Sequence, residues 1–486
     1  MYFDLNTFSF MSSARDENAV AVVGADRSLS WRELATEAQH WADSAKARGL
    51  TRDMPVVIRG HKEADFFVAI AGALLLGAPF VPVDTIYPQA RMDRIVSLVR
   101  PGTIYSATDG TFAQPAEGAS GQLCEQPGLA YILFTSGSTG DPKGVQIGRE
   151  SVGALARWML SSFELGEAPV FMNQAPFSFD LSMYEVFGTL ASGGTCVLNP
   201  REGIVSPDWM PRMAGHGITV WVSTPSFAHQ QLVNRSFNAA GLPSLSTFLF
   251  CGEPLPRALA IKLRERFPNA NIINTYGPTE ATVATTWVVI DDTMLSTDSP
   301  LPIGRATPEG LVFVDDGELC IVGDHVMRGY SNRPDLNESK MFIHTDGRRG
   351  FRTGDLGEEG ADGLLYCKGR MDDQIKLNGY RIELSEVDAV LGGLPGVTAA
   401  ACAVLRRPDG TAVRLVGFVE VAAGEVPVSA AVSTALPDML DGWRASLGVR
   451  LPAYMVPQEL VLCAAMPVSS NHKIDRKQLL TWYSAL

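Results

Sequence analysis

Thr135-Ser-Gly-Ser-Thr-Gly-Asp-Pro-Lys-Gly144 packs three glycines, four hydroxyls and a lysine into one stretch, a composition suited to holding phosphate. Glycines let backbone N–H groups turn toward an anion, and Lys143 adds positive charge. The stretch is not a Walker loop: the pattern G-x-x-x-x-G-K-[ST] begun at Gly137 needs glycine at 142 and a hydroxyl at 144, where Pro142 and Gly144 stand. A flexible Ser/Gly linker has a similar composition. Directly before it, however, the apolar run Leu129 to Phe134 reads as a buried strand. A strand feeding a hydroxyl cluster with Pro-Lys-Gly favours an ATP-binding loop over a linker.

Three further segments carry groups of the right chemistry. In Asn274-Thr-Tyr-Gly-Pro-Thr-Glu280, read as turn-rich after Ile272-Ile273, the Tyr276 ring could stack on a base. Thr279 and Glu280 offer oxygens to Mg²⁺ or to water beside phosphate. In Phe351-Arg-Thr-Gly-Asp-Leu356, Asp355 could accept both hydroxyls of a ribose. In Asn471-His-Lys-Ile-Asp-Arg476, Lys473 could reach developing negative charge. Taken singly, each also fits a surface turn or a solvated charge run.

The elements around these groups follow an α/β pattern. Ser30 and Glu33 are spaced as a capping box, predicting a helix to about Arg48 with Gly49 as its stop. Ala71 to Asp84 reads as the end of a buried helix, a Gly77 stop and a strand Phe80 to Val83. Short buried strands are expected at Ile218 to Val222 and Thr247 to Phe250, and a β-rich subdomain from Gly310 to Gly329. A boundary near Gly369 to Gln374 divides a core, 1–371, from a small α+β domain, 372–486. In the latter, Ser385 and Asp388 fit a looser capping box, Val404 to Val421 supplies strands, and Trp443 to Leu447 lies in a helix.

A chain of 486 residues has room for a large composite domain and a smaller one, and 46% hydrophobic with 19% charged residues is ordinary for a globular protein. The net charge of -13 argues against a diffuse basic surface for nucleic acid. The start lacks a basic segment followed by an apolar core, and no long apolar run occurs, so a soluble cytoplasmic enzyme is expected, without membrane insertion. Seven widely spaced cysteines without a C-x-x-C pair predict reduced thiols and no structural zinc.

Jointly, the ordered segments resemble the adenylate-forming superfamily, specifically stand-alone amino-acid adenylation enzymes, over nearly the whole chain. The resemblance runs through Leu29 to Leu34, Leu76 to Asp84, the Thr135 loop, Phe179-Asp-Leu-Ser-Met-Tyr-Glu185, Asn274 to Glu280 and Gly317 to Gly323. It continues through Phe351 to Leu356, Gly369 to Glu383, Leu451 to Pro457 and Asn471 to Arg476.

That resemblance implies a carbon–sulfur-bond-forming ligase with a layered α/β core, a β-rich subdomain and a small mobile C-terminal domain. An amino-acid carboxylate attacks the α-phosphate of Mg-ATP, and a thiol then displaces AMP. Thr135, Ser136, Gly137, Ser138, Thr139, Gly140 and Lys143 fall to the β/γ-phosphates. Gly252, Glu253, Pro254 and Tyr276 fall to adenine. Asp355 falls to the ribose, and Asn274, Thr275, Gly277, Thr279, Tyr366 and Arg370 join the ATP site. Glu280 is the Mg²⁺ position, Lys473 the catalytic cation and Asp372 the hinge. One departure stands out: His472 occupies the place of the usual glycine before the lysine.

Asp180 matches the aspartate that pairs with the substrate α-ammonium in such enzymes, although it could also cap a helix. A carboxylate in an apolar pocket needs a cation, which argues against a plain fatty acid. The specificity positions carried over are Leu181, Tyr184, Val222, Leu249, Cys251, Thr275, Val283 and Ala284, none of them charged. Large Tyr184 and branched Leu249 should leave room for alanine, with glycine, serine or a small β-amino acid behind it. Val220 to Phe227 and Leu249 to Pro254 look most like ligases that load D-alanine onto D-alanyl carrier proteins. Enzymes that load L-alanine in biosynthetic pathways, including nonribosomal and antibiotic ones, share much of the pattern. Since the chain ends soon after Arg476, the thiol is expected on a separate phosphopantetheinyl carrier protein, with coenzyme A as the alternative.

Overall fold

The computed structural model describes residues 1–13, 16–115, 121–137, 141–297, 299–407, 412–421, 431–434, 437–468 and 474–486. These form two compact units: one holds Met1–Thr85, Val96–Phe134 and Gly144–Met371, the other Ile86–Ile95, Thr135–Lys143 and Asp372–Leu486.

The larger unit is layered α/β. Ser30 accepts from Glu33 N while Glu33 reaches back to Ser30 N, so the capping box forms and opens the helix Trp31–Ala47. The next helix, Ala64–Leu76, is buried almost all round and stops at Gly77, whose φ of 78° suits a residue without Cβ. Beyond it Phe80–Asp84 is a fully buried strand in a seven-stranded sheet, two places from Lys143–Gly148 and next to Leu129–Thr135.

A nine-stranded sheet carries the expected strands as Val220–Ser223 and Thr247–Phe250. Val170–Asn173, Val220–Ser223, Thr247–Phe250 and Asn271–Tyr276 run parallel, and their register aligns Val222 with Leu249 and Leu249 with Ile273. Covered on both faces, these strands do not alternate: they are mostly apolar, with polar residues such as Asn173, Ser223 and Thr275 toward their carboxyl ends. The strand at Asn271–Tyr276 corrects the turn-rich reading of Asn274 to Tyr276, since extended backbone continues through all three residues. A five-stranded antiparallel sheet built on Leu311–Asp315, Glu318–Val322 and Arg349–Glu359 is the β-rich subdomain. Asp355 lies within its long strand, not in a surface turn.

The smaller unit packs the helices Leu384–Gly392 and Pro437–Arg450 with a four-stranded sheet of Val397–Arg406, Ala412–Val421, Glu459–Cys463 and Val432–Thr434. The capping box expected from Ser385 and Asp388 does not form. The helix begins at Leu384, placing Ser385 inside it, and the side chain at its cap position, Glu383, makes no capping bond to the helix. Asp388 is engaged elsewhere, accepting from Cys402 N and Arg476 Nη2, each at 2.5 Å. Among the described residues the cysteines are all free thiols, and no helix is long and apolar enough to cross a membrane.

Candidate active site

In parallel α/β sheets, ligands bind beyond the carboxyl ends of the strands. The candidate amino-acid pocket of the larger unit is built there. Val222, Leu249 and Thr275 sit near the ends of three adjacent parallel strands, and Cys251 follows the middle one. The fourth strand, Val170–Asn173, leads through a loop to Asp180 and the helix Ser182–Ser192. Asp180, Leu181, Tyr184, Val222, Leu249, Cys251, Thr275, Val283 and Ala284 are all buried. The helix cap position falls on Leu181 and no side chain caps it.

Hydrogen bonds fix this wall. Tyr184 Oη donates to Thr275 Oγ1 at 3.1 Å, and Thr275 Oγ1 donates to the Phe250 carbonyl at 2.8 Å. Burial holds the Tyr184 phenol well above its ordinary pKa, so it stays a neutral donor. Cys251 Sγ points its thiol at the Val283 carbonyl, 3.5 Å away. Val283 and Thr282 occupy left-handed backbone, with φ of 76° and 53°, a strained turn for β-branched residues. It is held from outside: Thr282 Oγ1 donates to the His325 carbonyl at 2.6 Å, and Thr285 Oγ1 meets His325 Nε2 at 2.7 Å. Gly277 permits the close approach, since a Cβ there would lie 2.4 Å from Ala284 Cα.

The candidate nucleotide residues of the same unit form a second network. Tyr276 Oη donates to Asp355 Oδ2 at 2.5 Å, while Arg370 Nη1 donates to Asp355 Oδ1 and to the Thr353 carbonyl, both at 2.9 Å. The strand register already aligns Asp355 with Arg370. Thr279 and Glu280 lie in a one-turn 3₁₀ segment, Thr279–Ala281. Glu280 is fully buried and accepts from Tyr330 Oη at 2.6 Å. Glu253 accepts from Ser226 N at 3.0 Å beside Gly252 and Pro254. Asn274 Nδ2 donates to the Pro302 carbonyl at 2.7 Å, and Tyr366 Oη donates to Asp362 Oδ2 at 2.8 Å.

Within the smaller unit, Lys143 Nζ donates to Glu383 Oε1 at 3.1 Å, Ser136 Oγ to the Arg381 carbonyl at 2.9 Å, and Gly137 N to Glu386 Oε2 at 3.2 Å. Asp372 accepts from Gln374 N at 3.3 Å. Ser138, Thr139, Gly140, Asn471, His472 and Lys473 lie outside the described residues.

A protein-family profile described as "AMP-binding enzyme" matches residues 10–331. The chain belongs to this family. The AMP-binding enzymes it resembles include a "D-alanine--D-alanyl carrier protein ligase" of Bacillus licheniformis, 33% identical over 95% of this chain and 96% of that protein. A protein of the same name from Staphylococcus epidermidis is 37% identical, covering 95% of each. Among solved structures, the Vibrio cholerae adenylation domain AlmE in complex with glycyl-adenosine-5'-phosphate superposes with a TM-score of 0.82. It matches 99% of this chain and 97% of that one at 22% identity, a likeness of fold. The layered α/β architecture is thus that of adenylate-forming enzymes, and ATP fits as the nucleotide.

Several residues of this AMP-binding enzyme escape sequence reading. Tyr131 is buried with no hydrogen-bond partner for its hydroxyl among the described residues, and its phenol is held well above the usual pKa by burial and then by the charge of Asp180. In sequence it is one more residue of an apolar strand. His325 and Tyr330 brace the strained turn and Glu280; the first lies in a loop and the second in the two-residue strand Gly329–Tyr330. Lys62 is fully buried between the two large sheets, although Arg59-Gly-His-Lys-Glu63 reads as an ordinary polar loop.

Proposed function

We propose that this chain activates a small amino acid, alanine first, as aminoacyl-AMP and passes it to the phosphopantetheine thiol of a separate carrier protein. The observation that carries the reading is Asp180, 9% exposed, at the strand ends of a pocket whose other named residues are uncharged. A carboxylate in an otherwise uncharged lining suits the ammonium of an amino acid, the group that the family resemblance assigns to Asp180. Tyr184, braced on Thr275, and Leu249 close the pocket to long side chains. The curated relatives named above act, by their names, on D-alanine and a D-alanyl carrier protein, which agrees with this size and charge.

In the first half-reaction the amino-acid carboxylate attacks the α-phosphorus of ATP and pyrophosphate leaves. Lys473 places a compact cation between the attacking carboxylate and the α-phosphate, where both carry negative charge. Lys143, with Thr135, Ser136, Gly137, Ser138, Thr139 and Gly140, holds the β/γ-phosphates, exchanging its Glu383 partner for them. Asp355, oriented by Tyr276 and Arg370, accepts the ribose hydroxyls. Mg²⁺ fits at Glu280: a single buried carboxylate completed by phosphates is how this ion is commonly held in nucleotide sites. Among the described residues no group of three His, Cys, Asp or Glu would hold a metal unaided.

In the second half-reaction the carrier thiol attacks the adenylate carbonyl and AMP leaves. Rotation about Asp372 would present the Gly379 to Glu383 region in place of Lys473, making 1–371 the binding core and 372–486 the mobile domain. Asp372→Pro should stop this alternation and trap one half-reaction. The place of work proposed is the cytoplasm.

The reading is tested by pyrophosphate exchange with alanine and with propionate, which lacks the ammonium. Asp180→Ala should lower alanine-dependent exchange about 100-fold or more, the scale expected when one partner of a buried ion pair is removed. Exchange driven equally by propionate in the wild type would point instead to a small-acid CoA ligase.

A further inference from the structure

We propose that Lys62 is a positioning residue for the amino-acid substrate, fixing the Asp180 loop at both ends through Asn173 and Glu185. The inference rests on the reading that Asp180 holds the substrate ammonium, and all the residues it uses belong to the larger unit.

Lys62 lies between the strand Val56–Gly60 of the seven-stranded sheet and the helix Ala64–Leu76. Its ammonium reaches the end of a strand in the nine-stranded sheet. There Lys62 Nζ donates to Asn173 Oδ1 and, at 2.5 Å, to the Ala175 carbonyl. It also sits 4.8 Å from the centroid of the Phe177 ring, which stacks on Phe66 at 4.6 Å. These contacts fix the start of the loop. Its end is held by the same asparagine, since Asn173 Nδ2 donates to Glu185 Oε1 at 2.9 Å. Glu185 stands in the first turn of the helix that follows Asp180. The Asn173 carbonyl is tied in turn by Asn199 N at 3.1 Å and Asn199 Nδ2 at 3.0 Å.

Lys62 is 1% exposed and Glu185 0%. Burial pushes the ammonium down to about 8 and the carboxyl up to about 8, with Asp84, Arg201 and Cys196 the other charged or titratable groups acting on Lys62. Such a buried network is commonly no more stabilising than apolar residues of similar volume, because desolvation offsets the attraction. Its consequence here is geometric. It sets where the loop leaves the sheet and where the helix begins, and so where the Asp180 carboxylate stands. Catalytic geometry tolerates little error, so loosening this latch acts on ammonium binding before it acts on folding.

The test is pyrophosphate exchange by the full chain and by Lys62→Met, Glu185→Leu and Glu185→Gln, with KM for alanine, KM for ATP and Tm measured for each. Lys62→Met and Glu185→Leu should raise the alanine KM about 10-fold with the ATP KM unchanged and Tm within a few degrees. Glu185→Gln keeps an acceptor for Asn173 and should remain within about twofold of wild type. An unmoved alanine KM in either severed variant, or a parallel rise in both KM values with a large fall in Tm, overturns the proposal. Should Lys62→Met fail to fold, Glu185→Leu decides by the same criteria. Absence of alanine-dependent exchange in the wild type would defeat the reading of Asp180 itself, an outcome distinct from failure of the latch.

Discussion

The Tyr276 hydroxyl donates to Asp355 Oδ2 at 2.5 Å while Arg370 holds the other carboxylate oxygen, so the proposed ribose acceptor is oriented before nucleotide arrives. The strand Asn271–Tyr276 supplies the phenol and the strand Arg349–Glu359 the carboxylate, tying the β-rich subdomain to the nine-stranded sheet. Each carboxylate oxygen keeps a lone pair for a ribose hydroxyl.

Tyr276→Phe removes this hydrogen bond and leaves the ring. A hydrogen bond to a charged group contributes about 1.5–3 kcal/mol, so an ATP KM raised about 10-fold is expected, with the alanine KM unchanged. Steady-state exchange with varied ATP reads this out. An unchanged ATP KM would separate Asp355 from nucleotide binding.

Lys473→Ala should abolish most pyrophosphate exchange, by about 100-fold or more, since a preorganised charge at the reacting centre acts mainly in the transition state. ATP affinity, measured by equilibrium dialysis, should stay near wild type. Near-normal exchange would remove Lys473 from the reaction.

His325 gives a pH-dependent stability. Burial first, then Arg348 and Arg349, push its imidazole down to about 4 from the ordinary 6.5. Between these pH values the unfolded chain binds a proton that the folded chain refuses, so stability is fully present above about 6.5 and is lost as pH falls through about 4. The loss is on the order of 3 kcal/mol at about 1.4 kcal/mol per pKa unit. In urea unfolding at pH 7.5 and 4.5, His325→Gln should lose less stability than wild type by roughly this amount. Equal losses would contradict the assignment.

How much was legible in the sequence depends on whether a residue's role is local. Ser30 with Glu33, Gly77, and the apolar runs at Leu129 and Thr247 encode their own elements, and the structure forms each of them. Asp180 and Asp355 stand out because they lie in Phe179 to Glu185 and Phe351 to Leu356, two of the segments that carry the family resemblance. Lys62 gives no such signal, because its burial comes from Asn173, 111 residues away in another sheet. Tyr131 hides in the opposite manner, as a phenol among apolar neighbours whose proximity to Asp180 only the fold creates. Ser385 and Asp388 had the right spacing for a cap, but Arg476 and Cys402 N take the carboxylate, and no local pattern records that competition.

The central claim is that the Asp180 pocket selects a small amino acid for adenylation. Its most direct measurement is pyrophosphate exchange by the wild-type chain with D-alanine, L-alanine, glycine, serine, β-alanine and propionate, each over a full concentration range. The account predicts that one alanine enantiomer gives the highest kcat/KM, above glycine by about 10–200-fold, as one methyl group in an apolar pocket allows, with propionate inactive. Exchange supported by propionate as well as by alanine, or by none of the amino acids, would contradict it.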